Sequence, residues 1–221
     1  MCGIMSSRDP DIFLDLLQEN LSRGAYSAGI LSIFENKIEI QKIRDINKEP
    51  VIVSARALYH LGHVRAPTTK VSNFSGCHPF QYGRAIAAHN GIITNTEDLE
   101  LDYDLKLDVD SEWIPFLYNY SQEAFQTGWQ KFHNVLSRLK GTYGTWLYDV
   151  NSNHIMVSRG DNTVYWNKDR TAFSSKAVKD IDQLMPDGAI YSSIVDVDNS
   201  VFFDINADNR IQRKPKYFIP N

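Results

Sequence analysis

The spacing of apolar residues changes along this chain, and that change restricts the folds it can adopt. Residues 28–34 and 38–43 have the composition of strands, and only residues 35–37 separate them, which is typical of a hairpin. Between 111 and 139 the apolar residues recur at helical spacing instead. Strands joined by short turns, with helices grouped apart from them, favour an α+β fold with antiparallel sheets over alternating parallel units.

The same spacing predicts the remaining elements. A helix is expected at 11–23, because apolar residues recur there on one face and Gly24 follows the last turn. Gly128 is expected to divide the 111–139 region into two helices, each covering a sheet face. Short helices are predicted around 51–58 and near 176–181. Strands are predicted at 61–65, 85–89, 143–150, 154–159, 163–166, 171–174, 189–197 and 200–205.

Composition argues against nucleic-acid-binding, membrane-spanning and disulfide-rich proteins. The 221 residues, 43% of them hydrophobic, suit one domain over 1–221, with a C-terminal tail at about 206–221. A net charge of -4 gives no support for binding to nucleic acid or to an anionic membrane. No apolar run approaches the roughly 18 to 20 residues of a membrane span, and two cysteines cannot form a disulfide framework. A cytoplasmic protein is therefore expected.

Cys2 is the most informative single residue. Met1 followed by a small residue favours removal of Met1, which would leave Cys2 with a free α-amine. A thiol of pKa ~8.5 and an α-amine of pKa ~7.7–8.0 exchange a proton at low cost, so one residue can supply both nucleophile and base. Considered alone, Cys2 could equally be an ordinary small residue near the N-terminus.

Further short segments contain residues suited to a polar substrate, although each has a simpler interpretation. Arg65 could be a surface residue, Asp110 could cap the following helix, and Asn90 with Gly91 could form a hairpin turn. In chain order the segments are CGI at 2–4, RGAYSAGI at 23–30, GHVRAPT at 62–68, HPF at 78–80, HNGIITN at 89–95, DSE at 110–112 and LKGTYG at 139–144.

Taken together and in this order, these segments resemble those of the class II glutamine amidotransferases, a family of N-terminal-nucleophile hydrolases. The resemblance extends through about residue 205. It implies a four-layer α-β-β-α sandwich with two stacked antiparallel sheets. Tyr26 departs from the pattern, because the family usually has Asp or Glu at this position.

The resemblance also implies how glutamine would be bound. Arg65 would hold the substrate carboxylate in a bidentate contact, with the Thr68 hydroxyl as a second donor. Asp110 and the backbone at Gly91 would receive the ammonium group. His78 would lie near bound glutamine, although it could equally be structural.

Chemical roles follow from the same resemblance. The Cys2 thiolate would attack the side-chain carbonyl, and the Asn90 amide with the Gly91 N–H would stabilise the oxyanion. The product would be a γ-glutamyl thioester that water hydrolyses. Arg23 would help to hold the surroundings of the nucleophile, although it could instead interact only with the carbonyls that end its helix.

No cofactor or metal is expected. His60 and His63 have a spacing seen in metal sites, but no third ligand is apparent, and residues three apart in a strand face opposite ways. Cys77 is expected to be a small packed residue or a free thiol.

Three hypotheses for function remain. The first is a glutaminase-type domain, without a synthase domain of its own, that supplies ammonia from L-glutamine to a separate synthase or acceptor-binding protein. The second is a stand-alone hydrolase of γ-glutamyl amides in a larger metabolite. The third is a non-catalytic interaction module, against which the retained site residues argue.

Overall fold

The computed structural model describes residues 2–24, 26–66, 76–121 and 127–195. The strands are β1 Gly3–Ser7, β2 Ser27–Ile33, β3 Ile38–Ile43, β4 Tyr59–Arg65, β5 Phe80–Tyr82, β6 Ala85–Ile93, β7 Gly141–Asp149, β8 His154–Gly160, β9 Tyr165–Trp166, β10 Ala172–Ser174, β11 Gln183–Leu184 and β12 Ile190–Ile194. The helices are α1 Pro10–Leu21, α2 Thr96–Tyr103, α3 Trp113–Tyr120 and α4 Gly128–Arg138. A short 3-10 helix, Asp110–Glu112, precedes α3. Among the residues described, none of the helices combines the length and apolar composition that a membrane span requires.

Two antiparallel sheets contain all of these strands. The seven-stranded sheet has the order β11-β9-β10-β1-β4-β2-β3, and the five-stranded sheet has the order β12-β8-β7-β6-β5. The predicted hairpin is confirmed, because Ile33 of β2 pairs with Ile38 of β3 across the polar turn. In the seven-stranded sheet, β1 lies between β4 and β10, so the N-terminus begins inside the sheet and not at its edge.

The main core fills the space between the two sheets. Leu31, Tyr59 and Leu61 of the seven-stranded sheet pack against Ile86 and Trp146 of the five-stranded sheet. All five are almost completely buried, which makes burial of apolar surface the main stabilising contribution at this interface. The two sheets therefore stack face to face, as predicted.

Helices cover the two outer faces. Phe13 and Leu16 of α1 pack on Val64 of the seven-stranded sheet. On the other side, Leu117 of α3 and Phe132 of α4 pack on the five-stranded sheet, with α2 at the edge of the same cluster. The predicted four-layer α-β-β-α sandwich is thus confirmed.

Local signals explain where the main helices begin. Asp9 precedes α1, and its carboxylate accepts hydrogen bonds from the backbone N–H groups of Asp11 and Ile12. The α4 helix begins at Gly128, where the sequence predicted a division between two helices, and Gln130 Oε1 accepts from the Thr127 N–H at 2.9 Å. The helices predicted at 11–23 and within 111–139 are therefore confirmed.

The helix predicted around 51–58 is wrong. Residues 51–54 have no regular secondary structure and are followed by a turn. The side chain of Gln41 in β3 donates to the Pro50 carbonyl at 2.8 Å and accepts from the Ile52 N–H at 3.0 Å. The neighbouring valines, Val51 and Val53, pack against the cluster beneath α1. A side chain from an adjacent strand thus fixes a segment whose β-branched residues favour an extended backbone in any case.

Other predicted boundaries also need correction. The helix predicted at 176–181 is instead a tight turn, in which Val178 and Ile181 exchange backbone hydrogen bonds of 3.1 and 3.0 Å. Helix α2 was not predicted. The strand predicted at 163–166 is limited to β9, and β12 is shorter than the strand predicted at 189–197. The predicted strand at 200–205 and the tail at 206–221 lie outside the described residues.

Candidate active site

Cys2 lies immediately before β1, at the end of the seven-stranded sheet where β4 finishes. Gly3 pairs with Val64, so the register sets Cys2 beside Arg65, the last residue of β4. The thiol is half-buried, and its Sγ donates to the Ala66 carbonyl at 3.8 Å. Burial raises the pKa of the Cys2 thiol, while the Ala66 backbone and the charge of Arg65 oppose the rise. The predicted nucleophile therefore lies next to a buried cation.

Arg65 is held rigidly at this strand end. Only 7% of its surface is exposed, so the interpretation of Arg65 as a surface residue is wrong. A Cβ at position 76 would lie 2.7 Å from its Nη1 and 2.8 Å from its Cζ, which means that the Gly76 backbone packs directly on the guanidinium. A guanidinium fixed in this way suits a carboxylate. Thr68, the predicted second donor, lies outside the described residues.

His78 packs beside this strand end in contact with a second buried histidine. Its ring centroid lies 3.9 Å from that of His63 in β4 and 4.6 Å from that of Phe80. Burial lowers the pKa of His63 to about 3 and that of His78 well below its ordinary value, with the charge of Arg65 adding to both shifts. Both rings are therefore neutral near pH 7. Among the described residues, the His78 ring has no hydrogen-bond partner.

Asn90 and Gly91 lie inside a strand and not in a hairpin turn. The strand predicted to end at residue 89 continues through both of them to Ile93, paired with β7. Gly91 has φ 148°, and a Cβ there would lie 2.0 Å from the Thr142 carbonyl oxygen. Only glycine fits this position, because the backbones of β6 and β7 approach closely and the φ value is one that other residues rarely adopt.

The Asn90 side chain is buried and points toward the seven-stranded sheet. Its Nδ2 donates to Ser175 Oγ at 3.2 Å and more weakly to Asn162 Oδ1 at 3.4 Å. The Asn162 side chain in turn donates to the Asn90 carbonyl at 2.7 Å. The carboxamide predicted as an oxyanion donor is therefore fixed by contacts from two separate loops.

Asp110 lies at the end of β6, next to the Asn90–Gly91 segment. Its Oδ2 accepts from the Ile93 N–H at 2.8 Å, and its Oδ1 accepts from the Ser111 hydroxyl at 3.2 Å. The N-cap of the short 3-10 helix is Val109, so the interpretation of Asp110 as the N-cap is wrong. The Asp110 carboxylate also adds to the rise in the pKa of the Cys2 thiol, as expected of a negative charge nearby.

His89 is a buried histidine close to Asp110. His89 Nε2 donates to the Thr142 carbonyl at 3.1 Å, and its Nδ1 lies 2.9 Å from Ser111 Oγ. Burial lowers the pKa of His89, and the charge of Asp110 opposes that shift. The Ser111 hydroxyl therefore lies within hydrogen-bond distance of both the imidazole and the carboxylate, and its one proton serves one of them at a time. His89 and Ser111 lie in two of the segments that resemble the family, but neither was given a role from the sequence.

Arg23 follows α1 and reaches back to the nucleophile. Its Nε donates to the Cys2 carbonyl at 3.0 Å, and its Nη1 donates to the Ser175 carbonyl at 3.1 Å. Of the two interpretations, contact with the surroundings of Cys2 is the one that the geometry matches. The neighbouring Tyr26, where the family usually has an acidic residue, is exposed, and its N–H donates to the Arg65 carbonyl.

The remaining residues considered from the sequence are the two histidines of β4 and Cys77. His60 packs against Phe13 on the outer face of β4, whereas His63 contacts His78 on the opposite face. Within the described ranges, no group of three His, Cys, Asp or Glu side chains is close enough to hold a metal ion. Cys77 is buried, and its Sγ donates to the Ala28 carbonyl at 3.3 Å, which confirms it as a packed residue.

Comparison with known families gives one direct match. The sequence model of the family described as "Glutamine amidotransferase domain" matches residues 63–181. This range includes Arg65, Asn90 and Asp110, and it begins after Cys2.

Two relatives of known sequence agree with that family match. The chain is 30% identical over 173 residues to the glutamine–fructose-6-phosphate aminotransferase (isomerizing) of Oceanobacillus iheyensis, which covers 72% of this chain and 29% of the relative. The enzyme of the same name from Bacillus subtilis is 31% identical, over 67% of this chain and 27% of the relative. The chain thus spans less than a third of the length of these relatives.

Solved structures share the fold. The glutamine phosphoribosylpyrophosphate amidotransferase of B. subtilis matches with a TM-score of 0.67 at 20% identity, covering 93% of this chain and 50% of that one. A glutamine aminotransferase class-II domain protein from Silicibacter pomeroyi matches with a TM-score of 0.54 at 15% identity, covering 92% of this chain and 99% of that one.

Proposed function

Because this chain belongs to the class II glutamine amidotransferase family, we propose that it hydrolyses the side-chain amide of L-glutamine at the site around Cys2. The observation that carries the proposal is the arrangement of four groups. The β1–β4 register sets the Cys2 thiol beside Arg65, Ser175 connects β1 to Asn90, and Asp110 is bonded to the end of β6. Thiol, cation, amide and carboxylate therefore share one end of the sandwich.

These groups match the parts of free glutamine. Arg65 binds the α-carboxylate in a bidentate contact, with Thr68 proposed as a second donor. Asp110 accepts from the α-ammonium, together with the backbone at Gly91. His78, neutral and packed against His63, is proposed to lie near the bound glutamine.

The reaction begins once Met1 has been removed. The α-amine of Cys2 takes the thiol proton, and the sulfur attacks the side-chain carbonyl carbon of glutamine. The resulting C–N bond cleavage expels ammonia, with the amine returning the proton to the leaving nitrogen, and leaves a γ-glutamyl thioester on Cys2. Water then attacks the thioester, which restores the thiol and releases glutamate. No step requires a metal or an organic cofactor.

Charge on the carbonyl oxygen is stabilised from β6. The Asn90 amide and the Gly91 N–H donate to the oxyanion, and the loss of one such donor typically costs about 2.7–4 kcal/mol in the activation barrier. Arg23 holds the Cys2 carbonyl and so keeps the nucleophile aligned with these donors.

We further propose that residues 1–221 form a single amidotransferase domain and that the ammonia passes to a separate acceptor-binding protein. The named relatives are glutamine–fructose-6-phosphate aminotransferases, and the matching region is a small part of each. A glutaminase of this kind is expected to be slow alone and faster with its partner.

The direct test combines intact mass with glutamate release. Protein lacking Met1 should release glutamate from glutamine, and a glutamine-analogue electrophile should label Cys2. The Cys2→Ala variant should lose both, whereas Cys77→Ala, which removes the other thiol, should keep both. Turnover that survives Cys2→Ala would show the mechanism to be wrong, and absence of labelling in processed wild type would favour a non-catalytic module.

The substrate is tested by comparison with bulkier amides. Glutamine should be turned over faster than γ-glutamyl amides that carry a substituent on the amide nitrogen. Equal or better turnover of the substituted amides would contradict the proposal and favour the stand-alone hydrolase of a larger metabolite.

A further inference from the structure

Ser175 occupies an unusual position between the two sheets. It follows β10 and lies opposite Ile4, whose carbonyl accepts from the Ser175 N–H at 2.8 Å. The return bond does not go to a backbone carbonyl, because the Ile4 N–H donates to Ser175 Oγ at 3.0 Å. A side-chain hydroxyl thus takes the place of a backbone acceptor, two residues from Cys2.

Because the hydroxyl accepts from the Ile4 N–H, the Ser175 carbonyl is available for other donors. It accepts from Arg23 Nη1 at 3.1 Å and from Thr163 Oγ1 at 2.8 Å. Arg23 also donates to the Cys2 carbonyl. Ser175 is therefore bonded to the nucleophile strand directly and to the nucleophile itself through Arg23.

The same hydroxyl oxygen also binds the five-stranded sheet. Ser175 Oγ accepts from Asn90 Nδ2 at 3.2 Å, and Ser175 has no measurable exposure to solvent. One buried oxygen therefore fixes both β1 and the carboxamide of Asn90. The second Nδ2 proton has only the longer contact to Asn162 Oδ1, at 3.4 Å, and is the one suited to a new acceptor.

Resting on the function proposed above, we propose that Ser175 is a positioning residue that holds the Asn90 carboxamide in line with the Cys2 nucleophile for stabilisation of the oxyanion. It acts through Asn90 and does not touch the substrate. Removal of its hydroxyl leaves Asn90 in place but free to rotate, and misplacement of a catalytic group by about 1 Å can cost on the order of 100-fold in rate.

The chain contains a matched control for this residue. Ser174 precedes Ser175 and is equally buried, but its side chain faces the other side of the sheet. Its Oγ accepts from Asn20 Nδ2 at 2.9 Å and from the Lys176 N–H at 3.1 Å. Ser174→Ala therefore removes the same group from the same strand region, without a contact to Asn90.

The experiment measures glutamine hydrolysis and the alkylation of Cys2 by iodoacetamide, a reaction that does not need an oxyanion donor. Ser175→Ala should lower kcat about 10- to 100-fold with little change in KM or in the alkylation rate. Ser174→Ala should leave all three close to wild type. An unchanged kcat in Ser175→Ala, or equal losses in kcat and alkylation, would overturn the proposal.

A double-mutant cycle tests the connection to Asn90. In an Asn90→Ala background, Ser175→Ala should cause no further loss of kcat, and a full additive loss would refute the proposal. If Ser175→Ala does not fold, Ser175→Thr and Ser175→Val provide a pair of equal volume, in which only the first keeps the hydroxyl and should keep the higher kcat. Equal kcat in this pair would also refute it.

The same data separate this inference from the proposed function. If Asn90→Ala itself has wild-type turnover, the proposed oxyanion role fails and this inference fails with it. If Asn90→Ala is impaired but Ser175→Ala is not, only the positioning role of Ser175 is wrong.

Discussion

The two sheets contribute comparable groups to the proposed site, but they hold these groups in different ways. The seven-stranded sheet supplies Cys2 and Arg65 from the ends of two adjacent strands, so the β1–β4 ladder sets their separation. The five-stranded sheet supplies Asn90 from within β6, whereas Asp110 comes from a later segment and is bonded to β6 by its own side chain. Backbone pairing sets the separation of the first pair, whereas the orientations of the Asn90 carboxamide and the Asp110 carboxylate depend on individual side-chain contacts.

This difference determines which neighbours should matter. A ladder contains many backbone hydrogen bonds, and no single side-chain substitution removes them. A group placed by one or two side-chain contacts depends on residues that never touch the substrate. Substitutions of the residues that hold the Asn90 and Asp110 side chains should therefore affect activity, whereas the separation of Cys2 and Arg65 should be less sensitive to the side chains around them.

The largest effect is expected at Gly91. In Gly91→Ala the new Cβ would meet the Thr142 carbonyl oxygen at 2.0 Å with φ at 148°, so β6 must move and the oxyanion donors move with it. We expect kcat to fall about 100- to 1,000-fold, the range for loss of an oxyanion donor. Gly128→Ala at the start of α4 is the control, since its nearest contact is 3.1 Å. Normal turnover in Gly91→Ala would contradict the role of this strand.

A smaller effect, on binding, is expected at Arg65. Lysine keeps the charge but cannot form the bidentate contact, and a charged hydrogen bond contributes about 1.5–3 kcal/mol. Arg65→Lys should raise KM for glutamine about 10- to 100-fold while kcat changes little. Arg84→Lys, at an arginine that lies 3.7 Å from Asp149, serves as the control. A fall in kcat at constant KM would argue against a carboxylate-binding role.

Elements determined by local sequence could be predicted. The β2–β3 hairpin and α1 depend on residue spacing, a polar turn and the Asp9 cap, all of which lie within a few residues of the element. The 51–58 segment could not be predicted in this way. Its course depends on the Gln41 side chain of a strand whose pairing is not visible in the local pattern.

The candidate site also contains residues that could be predicted from local sequence and residues that could not. The order of the short segments was sufficient to single out Cys2, Arg65, Asn90 and Asp110. Ser175 was missed because its partners, Ile4 and Asn90, are 171 and 85 residues away in sequence, and only the folded sheets bring them together. The residues proposed to contact the substrate lie in short local segments, whereas the contacts of Ser175 exist only in the folded sheets.

A third prediction concerns His63, a buried histidine of the seven-stranded sheet. His63 is completely buried, and burial lowers its pKa to about 3. Because the unfolded chain binds a proton below about pH 6.5 and the folded His63 does not, stability should fall as the pH decreases from 6.5 toward 3. At pH 5 this contribution is about 2 kcal/mol.

Urea unfolding at pH 7 and pH 5 measures that contribution. The decrease in the free energy of unfolding between these pH values should be smaller in His63→Gln than in wild type. Between pH 7 and pH 8, where the imidazole is neutral in both states, the two proteins should show the same pH dependence. Equal decreases below pH 6.5 would mean that His63 is protonated in the folded protein.

The smallest effect is expected at Ser111, and it is the most direct test of the comparison between the halves. Ser111 does not belong to the proposed substrate contacts, but its hydroxyl lies 3.2 Å from Asp110 Oδ1 and 2.9 Å from His89 Nδ1. Loss of one hydrogen bond of about 0.5–1.5 kcal/mol should let Asp110 move and raise KM for glutamine about 3- to 10-fold, with kcat preserved. Ser137→Ala, which removes a hydroxyl from α4 that donates to the Asn134 carbonyl, should leave KM unchanged. If Ser111→Ala also leaves KM unchanged, Asp110 is held by the Ile93 N–H alone, and the five-stranded half depends on backbone contacts as much as the other half does.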